Sequence, residues 1–501
     1  MLRPWKISLA ERVDRRRRIP VYQQIVQAFI HDIQRGRLLP GTFLPSSREL
    51  AGTLGVNRKT IVIAYDDLIA QGWLASDGTR GTMVSGSLPQ PAPRRSPVSQ
   101  SDTEQPGASP AFKIHAATDP LPAFVENTHF TFDDGAPDAR LLSPDVLSQA
   151  YRSALRHAAR ANWLGYGDPR GSLLLRETIA NMLTTHRGLV VHADNICVTR
   201  GSQMAIFLAA RILVQPGDTV LVEALSYSPA WQAFRAAGAS VVGVRLDDDG
   251  LDVEDVERLC RRHKVCALYL TPHHQFPTTV SLTPNRRLRL LDLASQFGFA
   301  VIEDDYDHEF HFEQQPLLPM ASYAPRRTIY IGSMSKLLLP GLRIGYVAAA
   351  ADVVGLMASE TVIIDRQGNV PTELAVADLI RSGELHRHAR KALQVYFGRR
   401  RAFANLLTEH FNGVIDFKMP DGGLAFWITF RDSTVLDAIE KGGPRRGVRF
   451  LPSRSFAIAP YSHRGLRLGY ASLNLDEATE AVRQLRQSAD TAARPKSAKR
   501  Q

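Results

Sequence analysis

A chain of 501 residues, 44% hydrophobic and 22% charged, has the composition of a globular protein and room for two or three domains. Its net charge of +11 is unevenly placed: residues 1–86 hold 13 lysines and arginines against 7 acidic groups, and Arg15 to Arg18 and Arg494 to Arg500 make basic ends suited to a polyanion. Three cysteines (Cys197, Cys260, Cys266) exclude a disulfide framework or a cysteine zinc site. The start Met1-Leu2-Arg3-Pro4-Trp5-Lys6 lacks a signal peptide's apolar core, and the apolar stretch Ile344 to Ala358 is interrupted by Asp352 and too short for a bilayer, so the expectation is a soluble cytoplasmic protein with no membrane partner.

Val21, Ile25, Val26, Phe29, Ile30 and Ile33 recur at helical spacing and predict a helix over Ile19 to Arg37, broken by Pro40-Gly41. Ser46-Ser47-Arg48-Glu49 reads as a capping box opening a short helix, Ser47 to Leu54. Gly55 turns the chain, and Asn57 caps a third helix with Ile61, Ala64, Tyr65 and Leu68 on one face. Trp73-Leu74, the Asp77-Gly78 turn and Thr82-Met83-Val84 predict a hairpin. Together these make a winged helix-turn-helix, whose second motif helix enters the major groove with its first residues at the base edges. Here those are Asn57, Arg58, Lys59 and Thr60. Arg58 suits a guanine edge, Arg48 a phosphate or base, and Arg80-Gly81 at the wing tip the minor groove. Short basic runs are as often a solvated helix face, and spacing alone leaves both readings open.

Residues 87–120 are rich in proline and serine and read as an extended linker. Beyond it, short apolar runs alternate with amphipathic helices. Val220 to Val222, Val241 to Val244, Ala267 to Leu270, Ala300 to Ile302 and Ile329 to Ile331 predict buried strands, and Pro284 to Phe297 a helix, giving an α/β domain with a mainly parallel sheet.

In the run Gly332-Ser333-Met334-Ser335-Lys336 through Arg343-Ile344-Gly345, an amine lies between hydroxyls with an arginine seven residues on. A lysine can close a Schiff base on an aldehyde, while Ser333, Ser335 and Arg343 can hold a phosphate dianion, which are the needs of pyridoxal 5'-phosphate (PLP). Thr199-Arg200-Gly201-Ser202-Gln203 follows a strand and opens a helix, so Ser202 and Gln203 can turn N–H groups toward that phosphate. Tyr227 can stack on the pyridine ring, although a core tyrosine has the same signature. In Glu303-Asp304-Asp305-Tyr306-Asp307, Asp304 suits the ring nitrogen and Tyr306 the ring oxygen; an acidic run is more often a solvated loop. His274, in the loop Thr271 to Thr278, is a further candidate for the ring oxygen.

Pro45 to Ala51, Leu54 to Thr60, and Gly72-Trp73-Leu74 through Gly81-Thr82 resemble the GntR-type winged helix domain over residues 18–86, which implies DNA contacts by Arg48, Arg58 and the wing at Gly81. The segments around Lys336, Asp304, Tyr227 and Gly201, together with Leu164 to Gly171 and Gly465 to Tyr470, resemble fold-type I aminotransferases over residues 121–490. That resemblance implies PLP, a partner-subunit phosphate contact by Tyr166 and a carboxylate contact by Arg467. The order of basic arm (1–17), reader (18–86), linker (87–120), aminotransferase-like domain (121–490) and basic tail (491–501) is similar to that of MocR-type regulators. It implies a head-to-tail homodimer on double-stranded operator DNA, responding to a small amino compound that forms an external aldimine. A working aminotransferase carrying a DNA module is the alternative. One departure stands out: the family loop more often ends Pro-Thr-Gly, whereas here it is Pro277-Thr278-Thr279.

Overall fold

The computed structural model describes residues 12–14, 16–17, 19–89, 113, 129–132, 134–312 and 317–493. The expected tail beyond residue 493, most of the expected linker and most of the N-terminal arm lie outside these residues. The chain separates into two compact units, Met1–Leu121 and Pro122–Gln501, each taken by itself below.

The first unit is built on three helices, α1 (Val21–Gln34), α2 (Ser47–Leu54) and α3 (Arg58–Ala70), followed by the antiparallel strands β1 (Leu74–Asp77) and β2 (Gly81–Val84). The first helix is shorter than its apolar spacing predicts at both ends, starting after Pro20 and ending at Arg35. The Ser46 hydroxyl accepts from the Glu49 N–H at 3.2 Å, and Gly55 ends α2 at φ +62°, where a side chain would be strained. Ile25, Phe29, Leu50, Ile61, Ala64 and Leu68 are completely buried and close one small core.

The second unit centres on a seven-stranded sheet. In chain order, β3 (Ile196–Thr199) leads into α4 (Ser202–Leu213), β4 (Thr219–Glu223), α5 (Ser228–Ala236), β5 (Ser240–Val244), β6 (Val265–Leu270), α6 (Pro284–Phe297), β7 (Ala300–Asp305), β8 (Thr328–Ser333) and β9 (Gly345–Ala348). The spatial order is β3-β9-β8-β7-β6-β4-β5, with β9 alone antiparallel to its neighbours. A sheet covered on both faces needs unbroken apolar strands, and Val220, Leu221 and Val222 have no exposure. The strands β3 and β9 were not among the predicted runs. The apolar stretch Ile344 to Ala358 divides into β9 and the start of the helix Ala351–Ile364, a distinction that a continuous apolar run does not carry. A second, antiparallel sheet joins β10 (Ile415–Phe417), β11 (Ala425–Phe430) and β12 (Gly465–Gly469). Among the described residues no helix is long and apolar enough to cross a membrane.

This topology gathers the candidate residues. The parallel strands end at one edge of the sheet, where open α/β sheets bind ligands. Asp304 and Asp305 of β7 pair with Ile331 and Gly332 of β8, so the acidic run and the lysine loop leave the sheet side by side. Because β9 runs the other way, it enters at that same edge and brings Arg343 back to the turn after β3.

Candidate cofactor site and nucleic-acid interface

Lys336 lies in the turn after β8, its side chain 13% exposed, and Nζ donates to Asp134 Oδ1 at 2.9 Å. Asp134 was not singled out from the sequence: it follows a three-residue strand, Phe130–Phe132, too short to show a pattern. Burial pushes its carboxyl up, but the Lys336 ammonium and the Arg467 guanidinium outweigh that and hold it below the usual carboxylate value.

Asp304 is buried at the end of β7. Its Oδ2 accepts from the Tyr269 hydroxyl at 2.8 Å, while Oδ1 is buried with no hydrogen-bond partner. Burial raises its carboxyl to about 7; the Tyr269 hydrogen bond opposes the rise and the Asp305 and Asp307 charges add to it. Tyr269 was likewise not legible as a site residue, since it reads as an ordinary apolar strand position. The neighbouring Asp305 points instead to a buried ion pair with Arg187 and accepts from Tyr330 at 2.6 Å. Adjacent strand residues face opposite sides of a sheet, so the two carboxylates serve different sites.

The phosphate-type turn is equally specific. Gly201 caps α4 at φ +78°, and a Cβ there would lie 3.0 Å from the Arg343 guanidinium, which donates to the Arg200 carbonyl at 2.7 Å. A Cβ on Gly345 would lie 2.6 Å from the Gly201 carbonyl carbon, so β9 presses bare backbone on the turn. Ser202 and Gln203 form the first turn of α4; Gln203 Nε2 donates to the Pro229 carbonyl at 2.9 Å, and its Oε1 is buried without a partner. Ser333 is buried and its Oγ accepts from the Ser335 N–H at 3.2 Å.

Tyr227 caps α5 and meets the Phe276 ring edge-on at 5.4 Å. Burial raises its phenol, and the Asp134 and Asp304 charges add to the rise, which sets it beside both carboxylates. Arg467, on β12, is 1% exposed. It donates to the Asp134 carbonyl at 3.2 Å, the Pro277 carbonyl at 3.0 Å and the Tyr306 hydroxyl at 3.2 Å, with its guanidinium 4.7 Å above the Phe276 ring. Three of its five N–H groups are used in these bonds. Tyr166 is 83% exposed, with the Arg366 guanidinium 5.0 Å over its ring.

Two expectations meet a different geometry. The His274 ring is buried and turned to Asp307, with Nδ1 and Oδ1 2.7 Å apart, and packs where a Cβ on Gly422 would fall. Only its carbonyl faces the site, accepting from the Tyr306 hydroxyl at 2.8 Å. The ring is therefore not aimed at a cofactor oxygen, and the single phenolic proton of Tyr306 is committed to that carbonyl.

Thr279 stands at φ +65°, in the left-handed region that suits glycine. A β-branched residue there is strained, typically by about 1–2 kcal/mol. Thr279→Gly is expected to stabilise the chain by roughly 0.5–1 kcal/mol after the extra unfolded-state freedom of glycine is deducted. The midpoint of denaturant unfolding at constant slope checks this.

In the first unit, Arg48, Asn57, Arg58 and Arg80 are all exposed. The Asn57 side chain accepts from the Lys59 N–H at 2.9 Å, so its carbonyl oxygen is occupied as a helix cap. Arg58 Nε donates to Ser47 Oγ at 3.3 Å, Thr60 is half-buried, and the Arg80 guanidinium is 3.8 Å from the Asp77 carboxylate beside Gly81, whose φ is +115°.

The cluster fits PLP on its own chemistry: a lysine, an unpartnered buried carboxylate oxygen, and a glycine-arginine turn at a helix start. Comparison with known proteins agrees. Residues 135–485 match the aminotransferase class I and II family, and residues 21–84 match the gntR family of bacterial regulatory proteins. The chain is 28% identical to a probable rhizopine catabolism regulatory protein, MocR, of Rhizobium meliloti, over 95% of this chain and 94% of that one. It is 30% identical to the pyridoxine biosynthesis regulator PdxR of Corynebacterium glutamicum, over 75% of this chain and 76% of that one. Among solved structures it resembles the α-aminoadipate aminotransferase LysN of Thermus thermophilus, complexed with N-(5'-phosphopyridoxyl)-L-leucine, with TM-score 0.68 and 26% identity over 74% of this chain and 93% of that one. The chain thus belongs to the aminotransferase class I and II family and, with its gntR-type DNA-binding domain in front, is a MocR-type PLP-dependent transcriptional regulator.

Proposed function

We propose that this regulator senses a small primary amine bearing an acidic group, in the cytoplasm, as a head-to-tail homodimer on operator DNA. The observation that carries the reading is the convergence of Lys336, Asp304 and Arg467 at one edge of the sheet, each held by named partners. PLP, when bound, supplies an aldehyde that condenses with amines and a ring that accepts electrons. Lys336 would hold it covalently through Nζ, and the Asp304 carboxylate, with its unpartnered Oδ1, would serve its ring nitrogen. The Ser202 and Gln203 end of α4, Ser333, Ser335 and Arg343 would hold the phosphate, and Tyr166 of each subunit would reach across to the other. Tyr227 would flank the ring, and the Tyr306 hydroxyl, which donates to the His274 carbonyl without the cofactor, would turn to its oxygen side. The Arg467 guanidinium would take the effector's acidic group. Arg48, Arg58, Thr60 and the wing at Arg80-Gly81 contact DNA; Asn57 contributes as a cap. The boundaries 18–86 and 121–490 are proposed for the two working domains, with the linker at 87–120 between them.

The direct test is an amine screen by cofactor absorbance, repeated with DNA bound. A working aminotransferase remains the second reading, because the same three residues are those that transamination uses; multiple-turnover assays with amino and keto partners separate the two.

Arg467→Ala is expected to weaken amino acids about ten- to a hundredfold relative to methylamine, which has no acidic group, since a charge-assisted hydrogen bond is worth about 1.5–3 kcal/mol. Equal losses for both would remove Arg467 from effector recognition. Arg58→Ala is expected to lose roughly 1–3 kcal/mol at one operator position and relax base preference there, in a binding scan of single-base operator variants. A uniform loss over all of them would make it a phosphate contact.

A further inference from the structure

Asp134 is an acidic group that the roles above leave unused. Its backbone is fixed independently of Lys336: its carbonyl accepts from Arg467 Nε at 3.2 Å, and Gly135, at φ +98°, is packed so closely that a Cβ would lie 3.3 Å from Leu424. The carboxylate is 37% exposed and reaches Lys336 Nζ at 2.9 Å. Among the described residues, the other charged or titratable groups around it are Arg467, Tyr227 and, beyond Lys336, Asp304. A lysine ammonium in this turn therefore has a pre-set carboxylate within hydrogen-bond reach.

We propose that Asp134 is a positioning residue that receives the Lys336 ammonium when an amine takes its place on the cofactor. It thereby sets how readily the site exchanges amines and keeps the freed lysine from acting as a base. This rests on the reading of Lys336 given above. The exchange balances without a co-reactant: the incoming nitrogen bonds the aldehyde carbon as the bond from that carbon to Nζ breaks. The amine enters as R–NH3+ and gives up two protons, and Lys336 leaves as –NH3+ having gained two. A neighbouring carboxylate favours the charged form of the departing lysine. That draws exchange toward the effector-bound state. It also opposes the deprotonation a lysine needs to carry a proton in transamination. Asp134 thus biases an aminotransferase-like site toward holding an amine rather than converting it.

The test uses full-length, cofactor-loaded wild type, Asp134→Asn and Asp134→Glu, each titrated with methylamine and followed by cofactor absorbance from neutral to alkaline pH. Counting only protein that carries cofactor keeps a folding defect out of the reading. Asp134→Asn is expected to weaken methylamine exchange roughly two- to fivefold, the range of a partly exposed ion pair. Asp134→Glu should restore most of it, and the pH dependence of exchange should differ between wild type and Asp134→Asn. With L-alanine, the Asn variant should convert its cofactor to the amine form faster than wild type. An unchanged methylamine exchange constant in Asp134→Asn would overturn the proposal. So would a loss seen with ethylenediamine but not with methylamine, which would make Asp134 a contact for a second ammonium on the effector. If wild type itself shows no absorbance response to methylamine and no borohydride-fixed cofactor on Lys336, the reading of Lys336 falls and this one with it.

Discussion

Lys336→Ala is expected to abolish covalent attachment of the cofactor while leaving a folded chain. After borohydride reduction and digestion, mass spectrometry of wild type should find the phosphopyridoxyl mass on the Lys336 peptide; in the variant it should be absent from every peptide. The fold is expected to survive because Lys336 sits in a turn at the sheet edge, and its removal leaves Asp134 partly exposed and still close to Arg467. The loss is all-or-none because no side-chain packing can replace a covalent bond. Fixed cofactor on a different lysine would move the assignment and, with it, the role given to Asp134.

Asp304→Asn is expected to weaken the cofactor about ten- to a hundredfold, the worth of one charge-assisted hydrogen bond in a buried site. A second, cofactor-free measurement follows from the carboxyl's rise to about 7. The folded chain binds this proton more tightly than the unfolded chain, whose aspartate titrates near the ordinary value of about 3.9. The stability tied to that proton is therefore fully present below about pH 4 and is lost as pH rises through about 7. Glu223 and Glu303, each also raised to about 7 by burial, slope the same way, so the difference between wild type and variant isolates Asp304. Unfolding curves over this range should be steeper in pH for wild type than for Asp304→Asn. Parallel curves, with wild-type cofactor affinity, would place the ring-nitrogen contact elsewhere.

The sequence was most informative where local chemistry decides structure. Ser46 and Asn57 cap their helices because a side-chain oxygen near an unpaired N–H has one strong use. The five apolar runs became strands of a sheet covered on both faces. Lys336, Asp304, Gly201 and Arg343 stood out as candidates because each chemical need selects a residue type, and the fold brings them to one edge of the sheet. Contacts fixed by the third dimension were not. Asp134 lies 202 residues from Lys336 in the chain, and Tyr269 reaches Asp304 across neighbouring strands. The His274 ring turned to Asp307 because a buried imidazole beside a carboxylate pairs with it, and spacing alone could not show which side of the loop that ring would take. Thr279 was legible only as a departure from the family loop; that its backbone stands in the left-handed region, at φ +65°, is visible only in the fold.

Amine binding and DNA binding are expected to be coupled through one molecule. The decisive measurement is a reciprocal titration: an amine that shifts the cofactor absorbance is titrated with and without operator, and the operator with and without that amine. Coupling requires the two affinity ratios to be equal, and regulatory couplings are typically about 5- to 150-fold. Equal ratios clearly different from one are the expected result; a saturating amine that changes neither the affinity nor the geometry of the DNA complex would contradict this coupling and leave an aminotransferase that happens to carry a DNA-binding domain.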